Sequence, residues 1–94
     1  MKKKILIIAE AGVNHNGKIE IAKKMINAAS NFGADIIKFQ TFEPELLATS
    51  RANKAFYQKK FDKKNKSQIS MLRKLYLSRS QFKILKRYCK SRSI

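Results

Sequence analysis

Two short apolar runs, each closed by a charged or amide residue, set the pattern of this chain. Ile5-Leu6-Ile7-Ile8-Ala9 ends at Glu10, and Asp35-Ile36-Ile37-Lys38-Phe39 ends at Gln40 and Thr41. Runs of this length between turn-forming residues predict short strands. Strand side chains alternate, so Leu6, Ile8 and Glu10 share one face of the first strand and Ile36, Lys38 and Gln40 share one face of the second. Between Gly17 and Gly33 the apolar residues Ile19, Ala22, Met25, Ile26, Ala29 and Phe32 recur at three- and four-residue spacing. This spacing predicts an amphipathic helix, with Asn16 as its cap and Gly33 as its stop. A strand, a helix and a strand within about 30 residues make the size of a right-handed βαβ unit with parallel strands.

Beyond Thr41 the pattern weakens. Phe42-Glu43-Pro44 opens an irregular connection, residues 48–61 read as a weak helix anchored by Phe56 and Tyr57, and residues 62–66 read as a polar loop. Ser67 is placed to cap a short helix bearing Ile69, Met71, Leu72 and Leu75. Ser78 and Gln81 form a capping box, flanked by Leu77 and Phe82 as a hydrophobic staple. The helix they start carries Phe82, Leu85, Tyr88 and Cys89 on its inward stripe and runs to about Arg92. Two parallel strands leave two open edges and cannot cover a sheet from both sides, so the pattern predicts an incomplete α/β unit over residues 1–94 with no second domain.

In βαβ units ligands gather at the carboxyl ends of the strands, where Glu10, Lys38 and Gln40 fall. Burying an unpaired ammonium costs on the order of several kcal/mol, so Lys38 is expected at an open polar mouth or against an anionic ligand. The alternative is an edge-strand lysine that deters aggregation. The loop from Ala11 to Gly17 has the composition of a tight turn with left-handed residues, and the side chains of Asn14, His15 and Asn16 can meet a ligand there. A lone histidine makes no metal site, because ligation needs several convergent donors. On the residues alone, His15 is a structural loop residue.

Charge adds a competing possibility. The net charge is +16, and residues 51–94 carry fifteen Lys and Arg against one acid, while residues 1–50 carry seven lysines against five acids. A half this basic can bind nucleic acid or an anionic membrane by charge alone. Its charges, however, are interleaved with regularly spaced apolar residues, which reads as a solvated helix face. The single Cys89 excludes an intramolecular disulfide, fits a reducing compartment and falls in the apolar stripe, which makes it a core residue. The apolar run after Lys2-Lys3-Lys4 is too short for a signal peptide and is interrupted by Glu10, and no stretch approaches the roughly 20 apolar residues of a membrane span. The chain reads as soluble and cytoplasmic, without a membrane partner.

The stretch Ile8-Ala9-Glu10-Ala11-Gly12-Val13-Asn14-His15-Asn16-Gly17, followed by Gly33-Ala34-Asp35-Ile36-Ile37-Lys38-Phe39-Gln40-Thr41, resembles the start of the sialic acid synthase family, whose members make N-acetylneuraminic, legionaminic and pseudaminic acids. The resemblance implies the first two βα units of a TIM (β/α)8 barrel, incomplete here because a whole barrel needs about 200 residues or more. It implies a transferase that condenses phosphoenolpyruvate with an N-acetylated hexosamine such as N-acetylmannosamine and releases phosphate. In the family, C3 of phosphoenolpyruvate attacks a sugar aldehyde polarised by a divalent metal, Mn2+ or Mg2+, and water attacks the resulting cation at C2. On this resemblance Glu10 is the catalytic carboxylate beside that developing charge and its water. Lys38 holds the phosphoenolpyruvate anion, Gln40 hydrogen-bonds the sugar, and Asn14, His15 and Asn16 shape the adjoining loop.

The family's metal ligands are histidines on later strands, so they are expected to be absent from this chain, and the expected partner is the remainder of the barrel. The family also carries acids near the start of the last helix, where this chain has Ser78-Arg79-Ser80. Three readings result. The first is the N-terminal segment of a sialic-acid-type synthase, inactive alone. The second is a small basic nucleic-acid-binding protein, for which the chain offers no basic groove motif. The third is a non-catalytic subunit docked on a partner barrel.

Overall fold

The alternation of apolar residues resolves into two parallel strands with helices packed on one face. The computed structural model describes residues 4–46 and 61–94, with side chains from residue 68 onward in the second stretch. Its elements in chain order are β1 (Ile8–Gly12), α1 (Ile19–Asn31), β2 (Ile36–Phe39), α2 (Phe61–Lys74) and α3 (Arg79–Ser91). None of the helices among the described residues is long and apolar enough to cross a membrane. The weak helix expected over residues 48–61 lies outside the described residues, apart from Phe61, the first residue of α2.

β1 and β2 pair in parallel, with Ile8 opposite Ile36, Ala9 opposite Ile37, Glu10 opposite Lys38 and Gly12 opposite Phe39. The register breaks between Glu10 and Gly12, leaving Ala11 as the extra residue of a bulge. A bulge bends its strand and re-aims the side chains beside it. The faces sort as the alternation predicts: Ile37 and Phe39 are half-buried against the helices, while Ile8, Glu10, Ile36, Lys38 and Gln40 are exposed on the other side. Two further bonds secure the entry to β2. The Ile7 N–H donates to Asp35 Oδ2 at 2.9 Å, and the Lys4 ammonium lies 2.7 Å from Asp35 Oδ1. The hydrogen bond from Lys4 and then that from Ile7 hold the Asp35 carboxyl below the usual carboxylate range.

The core is small and lies between α1, α3 and the sheet. Ala22, Ile26, Leu77 and Leu85 are fully buried, with Ile19, Ile37, Phe39, Phe82, Tyr88, Cys89 and Ile94 packed around them. Burial pushes the Cys89 thiol up, which suits a packing residue and not a nucleophile. Polar bonds register α1 on α3: the Tyr88 hydroxyl donates to Asn27 Oδ1 at 2.6 Å, Ser30 donates to the Arg92 carbonyl at 2.7 Å, and the Lys23 ammonium sits 5.4 Å from the Tyr88 ring centre.

The helix ends show where local chemistry decides. After α1, Gly33 at φ +85° allows the Schellman turn in which Gly33 N–H donates to Ser30 O at 3.2 Å and Ala34 N–H to Ala29 O at 3.0 Å. At α3 the capping box forms in full, with Gln81 N–H donating to Ser78 Oγ at 3.2 Å and Ser78 N–H to Gln81 Oε1 at 2.8 Å. Four expectations fail. The first strand starts at Ile8 and continues through Ala11 to Gly12, so Ile5 to Ile7 precede it and the first two residues read as loop belong to it, because pairing with Ile36–Phe39 sets its limits. Asn16 does not cap α1: it sits at φ 54° inside the preceding turn, and Lys18 takes the cap position with no side-chain bond. Residues 62–66 are helical, so Ser67 lies within α2 and does not start a helix. Phe32, counted on the inward stripe of α1, is 91% exposed: it follows the last residue of α1 and lies with Met25, Ala28 and Ala29 along an apolar surface apart from the core.

Candidate functional site

Parallel pairing brings the carboxyl ends of β1 and β2 to the same edge of the sheet, and the register sets Glu10 directly beside Lys38. Lys38 Nζ lies 3.4 Å from Glu10 Oε2, with the two side chains 66% and 59% exposed. A solvated pair of this kind contributes at most about 1 kcal/mol to stability. Around it opens a concavity of about 500 Å3 lined by Glu10, Gly12, Val13, Asn14, Lys38 and Gln40.

The loop after β1 is built to hold that mouth open. Three consecutive turns run through it: Asn14 N–H donates to Ala11 O at 3.1 Å, Asn16 N–H to Val13 O at 3.1 Å, and Lys18 N–H to His15 O at 3.0 Å. Gln40 N–H donates to Gly12 O at 3.1 Å and ties the loop to the end of β2. On the far side, Gly17 at φ +72° approaches the Lys74 and Tyr76 carbonyl oxygens so closely that there is no room for a Cβ. The loop is thereby clamped between β2 and the end of α2.

The structure brings Glu10, Asn14, Lys38 and Gln40 to one rim and separates His15 and Asn16 from it. The His15 side chain is fully buried behind the loop, its ring centre 6.1 Å from that of Phe39. Its Nδ1 accepts from Gly17 N–H at 2.9 Å, so the neutral ring carries its proton on Nε2, which is buried and has no hydrogen-bond partner among the described residues. Burial holds the imidazole below its ordinary pKa. Asn16 is exposed at the outer turn of the loop. Gly12 and Val13 line the mouth without having been singled out from the sequence. Their one signal was position, immediately after the strand and before the amide-rich turn.

A depressed histidine makes stability depend on pH in a definite sense. Above the ordinary value of 6.5 both folded and unfolded chains hold His15 neutral, and the contribution is complete. As pH falls below that value the unfolded chain takes up a proton that the folded chain refuses, so stability is lost until the folded pKa is passed. Urea midpoints measured from pH 7.5 to pH 5 should therefore fall, and His15→Gln should flatten the decline. An equal slope in the variant would show that His15 is not responsible.

Among the described residues no three His, Cys, Asp or Glu side chains gather as metal ligands. His15 already spends Nδ1 on the Gly17 amide and is buried away from Glu10's rim, so these residues do not fit a divalent metal by themselves. What they do assemble is a carboxylate, an ammonium and two amides at the carboxyl ends of adjacent parallel strands. This is the anion- and substrate-binding position of α/β proteins.

Comparison with known proteins places the chain more closely. The NeuB family matches residues 25–94, and the chain belongs to that family. It is 51% identical over 75 residues to the N,N'-diacetyllegionaminic acid synthase of Campylobacter jejuni, a stretch covering 80% of this chain and 22% of that protein. With the N,N'-diacetyllegionaminic acid synthase of Legionella pneumophila it shares 43% identity over 88 residues, covering 94% and 25%. With the N-acetylneuraminate-9-phosphate synthase of Mus musculus it shares 40% over 82 residues, covering 87% and 23%. The chain thus spans about a quarter of the length of these relatives. No solved structure matches it.

Proposed function

We propose that residues 1–94 form the phosphoenolpyruvate-binding part of a sialic-acid-type synthase, as the first two βα units of a (β/α)8 barrel. The observation that carries this reading is the Glu10–Lys38 pair at the carboxyl ends of neighbouring parallel strands. Phosphoenolpyruvate is a compact polyanion, and Lys38 is the one cation among the described residues lining the mouth. Its ammonium meets the carboxylate or phosphate in charge-assisted hydrogen bonds. Glu10, displaced from Lys38 by that anion, faces C2. There it opposes the positive charge that develops as C3 attacks the aldehyde of an N-acetylated hexosamine, and it orients the water that adds as phosphate leaves. Gln40 and Asn14 present amides to the sugar's hydroxyl and N-acetyl groups across the same mouth.

Any divalent metal would have to be held by residues outside 1–94, since the described residues gather no set of ligands for one. Residues 1–94 alone are therefore expected to bind phosphoenolpyruvate weakly and to release no phosphate from it. Glu10→Gln tests the assignment because it removes a negative charge next to the anion while keeping the shape. Calorimetric titration of the full chain should show phosphoenolpyruvate bound about two- to fivefold more tightly by the variant, the size expected for one solvated charge contact. Unchanged or weaker binding would remove Glu10 from the phosphoenolpyruvate position.

A further inference from the structure

Behind the Glu10–Lys38 mouth, on the side of the sheet that meets the helices, three aromatic rings stand in a column. The His15 ring centre lies 6.1 Å from that of Phe39, and the Phe39 ring centre lies 6.3 Å from that of Phe82, edge to face. Column and mouth are made from neighbouring residues of the same two segments. Phe39 falls between Lys38 and Gln40 and packs on the core, while both of its neighbours line the mouth. His15 is buried, while Asn14 before it lines the mouth. Each of these two rings is therefore joined through a single peptide to the rim it backs.

The loop depends on one side chain for its hold on this column. Among the described residues of the loop, Gly12 to Lys18, His15 alone is buried, and its neighbours Asn14 and Asn16 are exposed. Its Nδ1 accepts from Gly17 N–H at 2.9 Å, closing the loop around the ring. An amide that loses its acceptor in a packed site must find water, so the loop has to move if that bond is removed. We infer that His15 is a positioning residue of the mouth: by holding the Gly17 amide on Nδ1 while its ring rests against Phe39, it fixes Asn14 across from Lys38 and Gln40, and an acceptor that the ligand never touches sets the ligand's affinity. The identity of that ligand rests on the phosphoenolpyruvate reading; the positioning of the rim does not. If His15 only fills space, its bulk matters and its acceptor does not.

Amide exchange of the full chain, followed by NMR, separates the two. His15→Leu keeps apolar bulk without an acceptor, and His15→Phe, which keeps a ring without an acceptor, takes its place if the leucine variant does not fold. His15→Asn loses the ring but offers Oδ1 at the branch point where Nδ1 stood. The Asn14 and Gln40 amides, bonded to Ala11 O and Gly12 O at 3.1 Å each, report the rim, and the amide of buried Ile26 reports the core. Relative to Ile26, both rim amides should exchange about fivefold faster without the acceptor, the size of one ordinary hydrogen bond, and keep the wild-type ratio in His15→Asn. Phosphoenolpyruvate affinity, measured by calorimetry, should fall by a similar factor in the first case and hold in the second. Equal exchange ratios in His15→Leu and His15→Asn would overturn the inference. Lys38→Ala separates the ligand from the loop. Affinity lost there but kept in His15→Leu defeats the positioning role alone, whereas affinity indifferent to Lys38 defeats the phosphoenolpyruvate reading and leaves the exchange ratios to decide the role of His15.

Discussion

Alanine at position 38 is expected to weaken phosphoenolpyruvate binding about tenfold while leaving the urea midpoint of the chain unchanged. Removing a charged hydrogen-bond donor costs about 1.5–3 kcal/mol in a buried site, and the lower end applies because the Lys38 side chain is 66% exposed. Stability is spared for the same reason. The partner left behind, Glu10, is 59% exposed and returns to water without penalty. Calorimetry with the full chain measures the first quantity and urea unfolding the second. Loss of both together would make Lys38 a structural residue; loss of neither would remove it from the site. Its sign is opposite to that expected for Glu10→Gln, so the two variants form a paired test in which one drift in sample quality cannot imitate both results.

Gly17→Ala should damage folding more than any of the other single substitutions, costing about 3 kcal/mol or more. The left-handed backbone at φ +72° alone costs an L-residue roughly 1–2 kcal/mol. A Cβ would also be driven into the Lys74 carbonyl oxygen, which belongs to backbone and cannot rotate aside. Relief requires the loop to leave the end of α2. That movement would break the Gly17 amide bond to His15 and expose a ring that is now fully buried. By contrast, Gly33→Ala meets open space at φ +85° and should cost only the conformational part, about 1 kcal/mol. Thermal unfolding of the two variants side by side measures the difference; equal destabilisation would mean that the contact with α2 contributes nothing.

How far each feature could be read along the chain follows from how near its causes lie in sequence. The existence of the two strands, the Gly33 stop and the Ser78–Gln81 box were legible because each depends on close neighbours: an apolar run, a left-handed glycine, a side chain bonding its own helix start; the limits of β1 were not, because pairing with β2 sets them at Ile8 and Gly12. The placing of Glu10 next to Lys38 was legible for a similar reason, since both charges close runs whose parallel pairing a connecting helix enforces. What failed depends on distant partners or on how far a helix extends. Asn16 has the chemistry of a cap, but its backbone is committed to a turn set by Ala11 to Gly17. Residues 62–66 lack apolar periodicity, yet they lie within α2, whose helical course carries on through Ser67 to Lys74. The burial of His15 left no trace in a polar loop sequence. It follows from Phe39 and the α2 terminus closing over the loop, and neither contact is visible along the chain.

The central claim is that a carboxylate and an ammonium at the carboxyl ends of adjacent parallel strands, Glu10 and Lys38, form an anion site flanked by the amides of Asn14 and Gln40. NMR titration of the isotope-labelled full chain with phosphoenolpyruvate, following the side-chain amides of Asn14 and Gln40, measures that directly. Saturable shifts confined to these two amides and the Glu10–Asn14 backbone are expected, and in Lys38→Ala they should saturate only at about tenfold higher phosphoenolpyruvate. Shifts that spread evenly along the lysines of α3, or that saturate at the same phosphoenolpyruvate concentration without Lys38, would contradict it.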